Sequence, residues 1–353
     1  MKSTTTHISD AISAKIANMG IFCALLVLFI HLPHGIGKNS IYVYFSHGWG
    51  KIAVPFFFTA SGYLLAGHIG EDKWYRNAIF KRFFSLYIPM VIWCVFYFIW
   101  KNIMLPVSAN IFSGRSLFTN VNIDIGFETV LRLLALHPFK EPYLGGLWFI
   151  RVLLIMVMFS PLMIKVVSPL SIILLHCVIG LIHPDHDIYC TPLIFMLQEG
   201  FFPLLWATYF MLGLYLRKAN IDLNPMGRFR IGGGLFIIGL LLLLLRGNPY
   251  GSLWQRRMTW LFIPWLMAGT WLLCPTKRLP NFLLKASFAV YLIHMFAILF
   301  FMLVLRRIFG EFEINEWLYV ALGLLCFAAC VLIDYIARRF FPEKLHKLLF
   351  GGR

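Results

Sequence analysis

Residues Ile21–His31 read IFCALLVLFIH, ten apolar side chains in succession closed by an imidazole. Such a run has no polar face to offer water, so it is a helix inside protein or lipid rather than on a surface. Read back to residue 16 and on to 36, it is long enough for a ~30 Å hydrocarbon core. Nine more apolar runs follow, near 50–67, 84–104, 146–164, 168–182, 197–216, 231–246, 258–274, 286–306 and 316–337. Isolated strands cannot cross lipid with unpaired backbone groups, so each run is read as a helix. The run at 168–182 is short for a crossing. The fold class predicted is an all-α integral membrane protein of about ten transmembrane helices.

Composition agrees. Of 353 residues, 60% are hydrophobic and 13% charged, and the mean hydropathy is +0.79. A soluble domain is ~25% charged, so a soluble enzyme, a disordered chain and a disulfide-stapled secreted domain are all excluded. The seven cysteines form no CxxC pair. Most lie in apolar runs, and Cys326 and Cys330 share a helix face, where the thiol acts as a small hydrophobe.

The net charge of +16 comes from 31 Lys and Arg against 15 Asp and Glu. With the N-terminus inside, 19 of the 31 cations fall in cytoplasmic segments and 11 outside, with Arg151 at the start of a span. This bias favours N-in and C-in. Most of the charge is then a sidedness device, and nucleic acid is not expected as a partner. The first span exceeds a signal-peptide h-region and no small-residue cleavage site follows it, so it is expected to remain as an anchor. Neither a repeat nor an appended soluble domain is visible. One membrane domain, 1–353, is expected, with 338–353 an interfacial cytoplasmic tail of mixed basic and apolar residues. The longest loops, near 105–145 and 183–196, are external.

Ionisable groups inside spans are costly, and each is a functional hypothesis. His31 lies 15 residues past Ile16, ~22 Å along the helix and in the outer third of the membrane. It is either an interfacial histidine or a general base, since neutral imidazole can take a proton from a hydroxyl. His294 closes Ser287–His294 (SFAVYLIH), ~14 Å into its span, with Tyr291 one turn earlier on the same face. It is either a packed core residue or part of a site. Trp148 and Arg151 in Gly145–Arg151 (GGLWFIR) also share a face, so Arg151 either snorkels or lines a polar cavity. Arg76, Lys81 and Arg82, with Lys73, crowd the loop before the third span. They read as an anionic-lipid anchor or as a phosphate-binding patch for a polyanion from the cytosol. In Val54–Leu64 (VPFFFTASGYL), Ser61-Gly62 permits close helix packing, or lets a ligand lie against backbone beside Ser61. The external His183–Asp187 (HPDHD) has metal-like residue types but too few ligands, and no metal site is assigned there.

Together these strings resemble the acyltransferase 3 family of integral membrane acyltransferases. LVLFIH ends at His31 in the first span, and VPFFFTASGYL is similar to the family's proline-aromatic-SG motif. KRFFSLYIP (Lys81–Pro89) is similar to its basic start of the third span, and GGLWFIR and ASFAVYLIH to two later signatures. The resemblance runs over essentially the whole chain. It implies transfer of an acyl group from acyl-CoA, most often acetyl-CoA, to a hydroxyl of an extracytoplasmic glycan or glycolipid. The implied location is the bacterial cytoplasmic (inner) membrane, with no metal cofactor. By the same resemblance His31 takes the place of the essential first-span histidine, and Arg82 that of the first of a pair of arginines. Arg76 and Lys81 would join Arg82 in holding the donor's phosphates, while Trp148, Arg151, Tyr291, His294 and Ser61 would line the cavity or position groups. Two positions depart from the pattern. Gly20 stands where many members have an arginine eleven residues before the histidine, and Ser85 replaces the second arginine of the pair. Lys15, Arg76 or Lys81 are the available substitutes, each short of the two bidentate forks a pair of arginines offers. The alternative expectation is a transporter or exporter of a sugar, lipid or amino acid using the same cavity.

Overall fold

The structure is a computed structural model that describes residues 8–33, 41–104, 125–138, 140–182, 204–247, 253–310 and 312–351. The loop residues 105–124, His34 and the HPDHD stretch lie outside the described residues. Among those described, the secondary structure is entirely helical.

The first helix, α1 (Asp10–His31), begins where Ser9 Oγ accepts the Ile12 amide at 3.4 Å, with Asp10 in the first turn. A side-chain acceptor and an acidic group there offset the unpaired amides of a helix start. It stops before Leu32-Pro33, because proline biases its predecessor to extended backbone. A short helix α2 (Ile41–Ser46) and a 3₁₀ turn Trp49–Ile52 lead into α3 (Ala53–Ala66). Next come α4 (Trp74–Met104), which holds π-helical turns at Phe83–Tyr87 and Trp100–Met104, and α5 (Phe127–Leu133). A 3₁₀ turn Gly145–Leu147 opens α6 (Trp148–Val166), followed by α7 (Pro169–Ile182) and α8 (Leu204–Lys218). The remainder is α9 (Arg228–Arg246), α10 (Leu253–Leu273), α11 (Asn281–Lys285), α12 (Ser287–Phe309), α13 (Glu316–Phe340) and α14 (Glu343–Phe350).

The described part of each of the ten apolar runs lies on helix, but among the described residues six helices meet the length and hydropathy of a bilayer crossing: α1, α4, Gly145–Val166, α9, α12 and α13. The helix α3 has 14 residues, ~21 Å, and is short of the ~30 Å core. Its neighbour α8 is described over 15 residues. These two pack with backbones almost touching, since Gly62 lies against the Phe210 carbonyl and Gly213 against the Thr59 carbonyl, leaving no room for a Cβ at either. Small residues make such approaches possible. The Ser61-Gly62 break is thus explained by packing at Gly62. Likewise, Gly232, Gly239 and Gly269 let α9 and α10 pack antiparallel, Gly239 against Leu266 and Gly269 against Phe236.

One expectation needs correction. The third span begins at Trp74, ten residues earlier than the hydropathy suggested, so Arg76, Lys81 and Arg82 ride on α4 and are not loop residues. Their polarity hid a helix whose first turns project beyond the apolar stretch. The C-terminal tail is helical. Arg338–Phe340 complete α13, and α14 folds back on the bundle with His346 and Phe350 buried.

One end of the bundle gathers the start of α1, the chain from 274 to 286, and the end of α13. Asn18 Nδ2 donates to the Pro275 and Lys277 carbonyls at 3.0 and 2.9 Å, and its Oδ1 accepts the Leu279 amide at 3.1 Å. Arg278 donates to Ser13 Oγ at 2.7 Å. Near them Lys15 is fully buried, its Nζ 4.8 Å from the centre of the Trp271 ring, a desolvated cation–π contact. At the opposite end, buried Arg246 donates to the His47 carbonyl at 2.6 Å and to Thr259 Oγ1 at 3.3 Å. It joins the end of α9 to the chain before α3.

Candidate active site

The helix α1 runs beside α12, and Gly20 stands level with Ser287, since a Cβ there would lie 3.6 Å from Ser287 Oγ, an ordinary contact. Residues 10–19 therefore extend past the start of α12 toward the cation-rich end. From Gly20 to His31 is eleven residues, ~16 Å, and from Ser287 to His294 is seven, ~10 Å. Counted from α1's own start, His31 would sit ~32 Å along, at the membrane's far edge. The offset brings it back to meet His294 deeper in the bundle. The two rings stand 5.1 Å apart, tilted by 40°.

Several contacts fix this meeting. Tyr319 Oη on α13 donates to the Phe29 carbonyl at 2.6 Å, and Gly323 makes room for the Phe29 ring, so the last turn of α1 is held from one side. On the other side, His294 Nδ1 lies 2.8 Å from the Tyr291 carbonyl. A carbonyl only accepts, so Nδ1 carries the proton and neutral His294 presents a bare Nε2. That nitrogen makes no hydrogen bond to a described residue, although the side chain is only 1% exposed. It faces Gly146, whose Cβ, if present, would lie 3.4 Å away. Tyr291, also buried, donates its hydroxyl to the Gly146 carbonyl at 2.7 Å and so holds the 3₁₀ turn over His294. His31 is half-buried, the more open ring of the two.

Arg151 does not reach this pair by any contact seen. Its Nη1 donates to the His137 and Lys140 carbonyls, both at 3.0 Å, and the residue is 5% exposed. It neither snorkels nor offers Nη1 to a cavity. It staples the chain that returns to Gly145–Leu147, and so shapes the roof of the site at one remove. Trp148 turns the other way, onto Trp206 at 5.4 Å, in an aromatic cluster with Phe58 and Phe149. Ser61 stays on α3, half-buried beside the α8 contact. Of the positioning residues expected, His294 is brought to His31 and Tyr291 packs beside His294, while Arg151, Trp148 and Ser61 serve the surrounding frame.

The cations separate from the histidines. Arg76 and Lys81 are exposed on α4, and Arg82 is half-buried with Nη1 donating to its own helix at the Ala78 carbonyl, 3.3 Å. Ser85 lies in the π turn that follows. Sequence reading missed Asn18, Tyr319, Gly146 and Asp334, whose partners are 150 to nearly 300 residues away except for Asp334's. An Asn or Asp within an apolar run is the one signal that could have marked two of them.

Two imidazoliums at this separation would repel by ~3 kcal/mol at an effective dielectric near 20. The pair is therefore suited to hold one proton and to pass it, as a base that must later become an acid. The neutral His294 described here has no N–H left to offer an oxyanion. Its free nitrogen is an acceptor.

A family model described as an acyltransferase domain, the acyltransferase 3 type, matches residues 18–335. No curated protein matches the chain. No solved structure matches it either.

Proposed function

The chain belongs to the acyltransferase 3 family, and on that premise we propose that it is a membrane-bound O-acyltransferase. It moves an acyl group, most often acetyl, from cytosolic acyl-CoA to a hydroxyl of an extracytoplasmic glycan or glycolipid. Family membership supports a membrane acyltransferase in general. The observation that carries the finer reading is the His31–His294 pair, with one bare nitrogen in a nearly closed site at the end of a helix whose other end is rich in cations.

In this reading both described termini face the cytosol, in keeping with the excess of cations at that end. The donor's phosphates rest near Lys81 and Arg82, and its thioester reaches inward. The acceptor comes from the other side to the more open ring. His31 takes the hydroxyl proton as the oxygen attacks the thioester carbonyl. The tetrahedral adduct collapses, the C–S bond breaks, and the imidazolium returns its proton to the departing thiolate. An equivalent route acylates His31 first and passes the group on. His294 and Tyr291 position His31 and accept or relay its proton. A bilayer-spanning bundle allows this, since only the acyl group needs to cross.

The test is acyl transfer by purified protein, with radiolabelled acetyl-CoA and envelope glycan. His31→Ala should lower the rate by ~10²–10⁴, the usual contribution of general acid–base catalysis. Undiminished transfer by a correctly inserted variant would remove His31 from the chemistry. Movement of a glycan or lipid across the membrane without donor turnover would favour a transporter instead.

A further inference from the structure

The chain after residue 335 lies beyond the family match, yet it is firmly held. Asp334, fully buried, accepts Arg338 Nε on Oδ2 at 2.7 Å and meets His346 Nε2 through Oδ1 at 3.0 Å. Arg338 Nη2 donates to the Lys285 carbonyl at 3.1 Å, and Trp93 Nε1 to the Leu349 carbonyl at 2.8 Å. Gly351 rests on the Ser85 carbonyl and the Phe288 ring, too close for any Cβ. Thus α14 is folded over the start of α12 and over the π turn of α4. Between them is a cavity of about 350 Å³, lined by Lys285, Arg338, Glu343, His346 and Lys347 among others.

We infer that this cavity is a phosphate-binding site in which Lys285, Arg338 and Lys347 supply the positive charge. The Arg338 fork is already oriented by Asp334 and the Lys285 carbonyl, which lowers the entropy lost on binding and leaves Nη1 for a ligand. Lys347 pairs with Glu343 at 2.5 Å, but both side chains are more than half exposed. A pair of that kind is worth little and exchanges readily for a phosphate. His346, nearly buried, has its Nδ1 without a hydrogen bond and lines the same space. The ligand class is a phosphate ester, either the nucleotide phosphates of acyl-CoA or the headgroup of an anionic lipid. The first source rests on the function proposed above.

The test uses the full chain in nanodiscs of phosphatidylcholine, with or without phosphatidylglycerol, and the double variant Lys285→Ala/Lys347→Ala. Neither lysine holds the Asp334 cluster by its side chain, so the variant keeps the fold. Affinity for CoA should fall about tenfold per cation removed at low salt, with the gap narrowing as salt rises. If the occupant is lipid, CoA affinity stays unchanged. The variant then loses the rise in Tm that phosphatidylglycerol gives the parent protein. Equal CoA affinity together with an equal phosphatidylglycerol response overturns the site. A parent protein that binds no CoA at all defeats the donor reading instead, and the lipid arm alone then decides this site.

Discussion

Replacing Gly146 with Ala adds one methyl group to the roof of the histidine pair. Its Cβ would lie 3.4 Å from His294 Nε2 and 3.5 Å from His294 Cε1 and Met295 Cγ, ordinary van der Waals separations. Gly146 is not among the glycines with positive φ, so alanine meets no backbone strain. Stability should hold or rise by ~0.4–1 kcal/mol, because alanine restricts the unfolded chain. Catalysis should suffer. A hydroxyl or water must come within ~2.7–3.2 Å of Nε2 to exchange a proton with it, and the methyl occupies that approach. If the bare nitrogen takes part, acyl transfer should fall toward the ~10²–10⁴ attributed to acid–base catalysis while Tm is unchanged or higher. The assay is initial-rate acyl transfer beside thermal unfolding in the same detergent. A variant as stable as the parent and as active would refute the assignment of Nε2 to the reaction, since the nitrogen would have been covered at no cost.

The fold can be challenged independently of the chemistry. Asp334→Asn removes the charge shared by Arg338 and His346. Breaking a buried pair costs ~3–5 kcal/mol, and the 28% exposure of the Arg338 side chain lowers this to about 2–4. Limited proteolysis should then cut near 341–351 sooner than in the parent. Gly213→Ala places a Cβ against the Thr59 carbonyl and the Tyr63 amide. Backbone cannot yield as a side chain can, so α3 and α8 must part, at ~1–3 kcal/mol read as a lower Tm.

The architecture was legible because a membrane leaves so few options. A run such as IFCALLVLFI can satisfy its backbone in lipid only as a helix, and the described part of each apolar run is helical. Errors came where polarity and helix part company. Residues 74–83 are too polar for a hydropathy reading, yet they form the first turns of α4. The short α3 passes as a span by composition alone, while its backbone contact with α8 at Gly62 and Gly213 is a tertiary fact that composition does not carry. Arg151 shows the limit for single residues. Its cost in a span marked it correctly as purposeful, but whether it faced a ligand or two carbonyls could not be read from its neighbours in sequence.

The sequence by itself determined that the chain lives in a membrane, that it is helical, and that its two in-span histidines at 31 and 294 were worth attention. These follow from local composition and from the price of a polar group in lipid. Only the tertiary structure decided that the two histidines meet. Their depths, counted along their own helices, disagree, and the offset at Gly20 and Ser287 reconciles them. The same holds for the C-terminal segment, whose end the fold lays against the Ser85 carbonyl. Helix register, and contacts 50 to nearly 300 residues apart, are set by how side chains and glycines fit together, which no local pattern encodes.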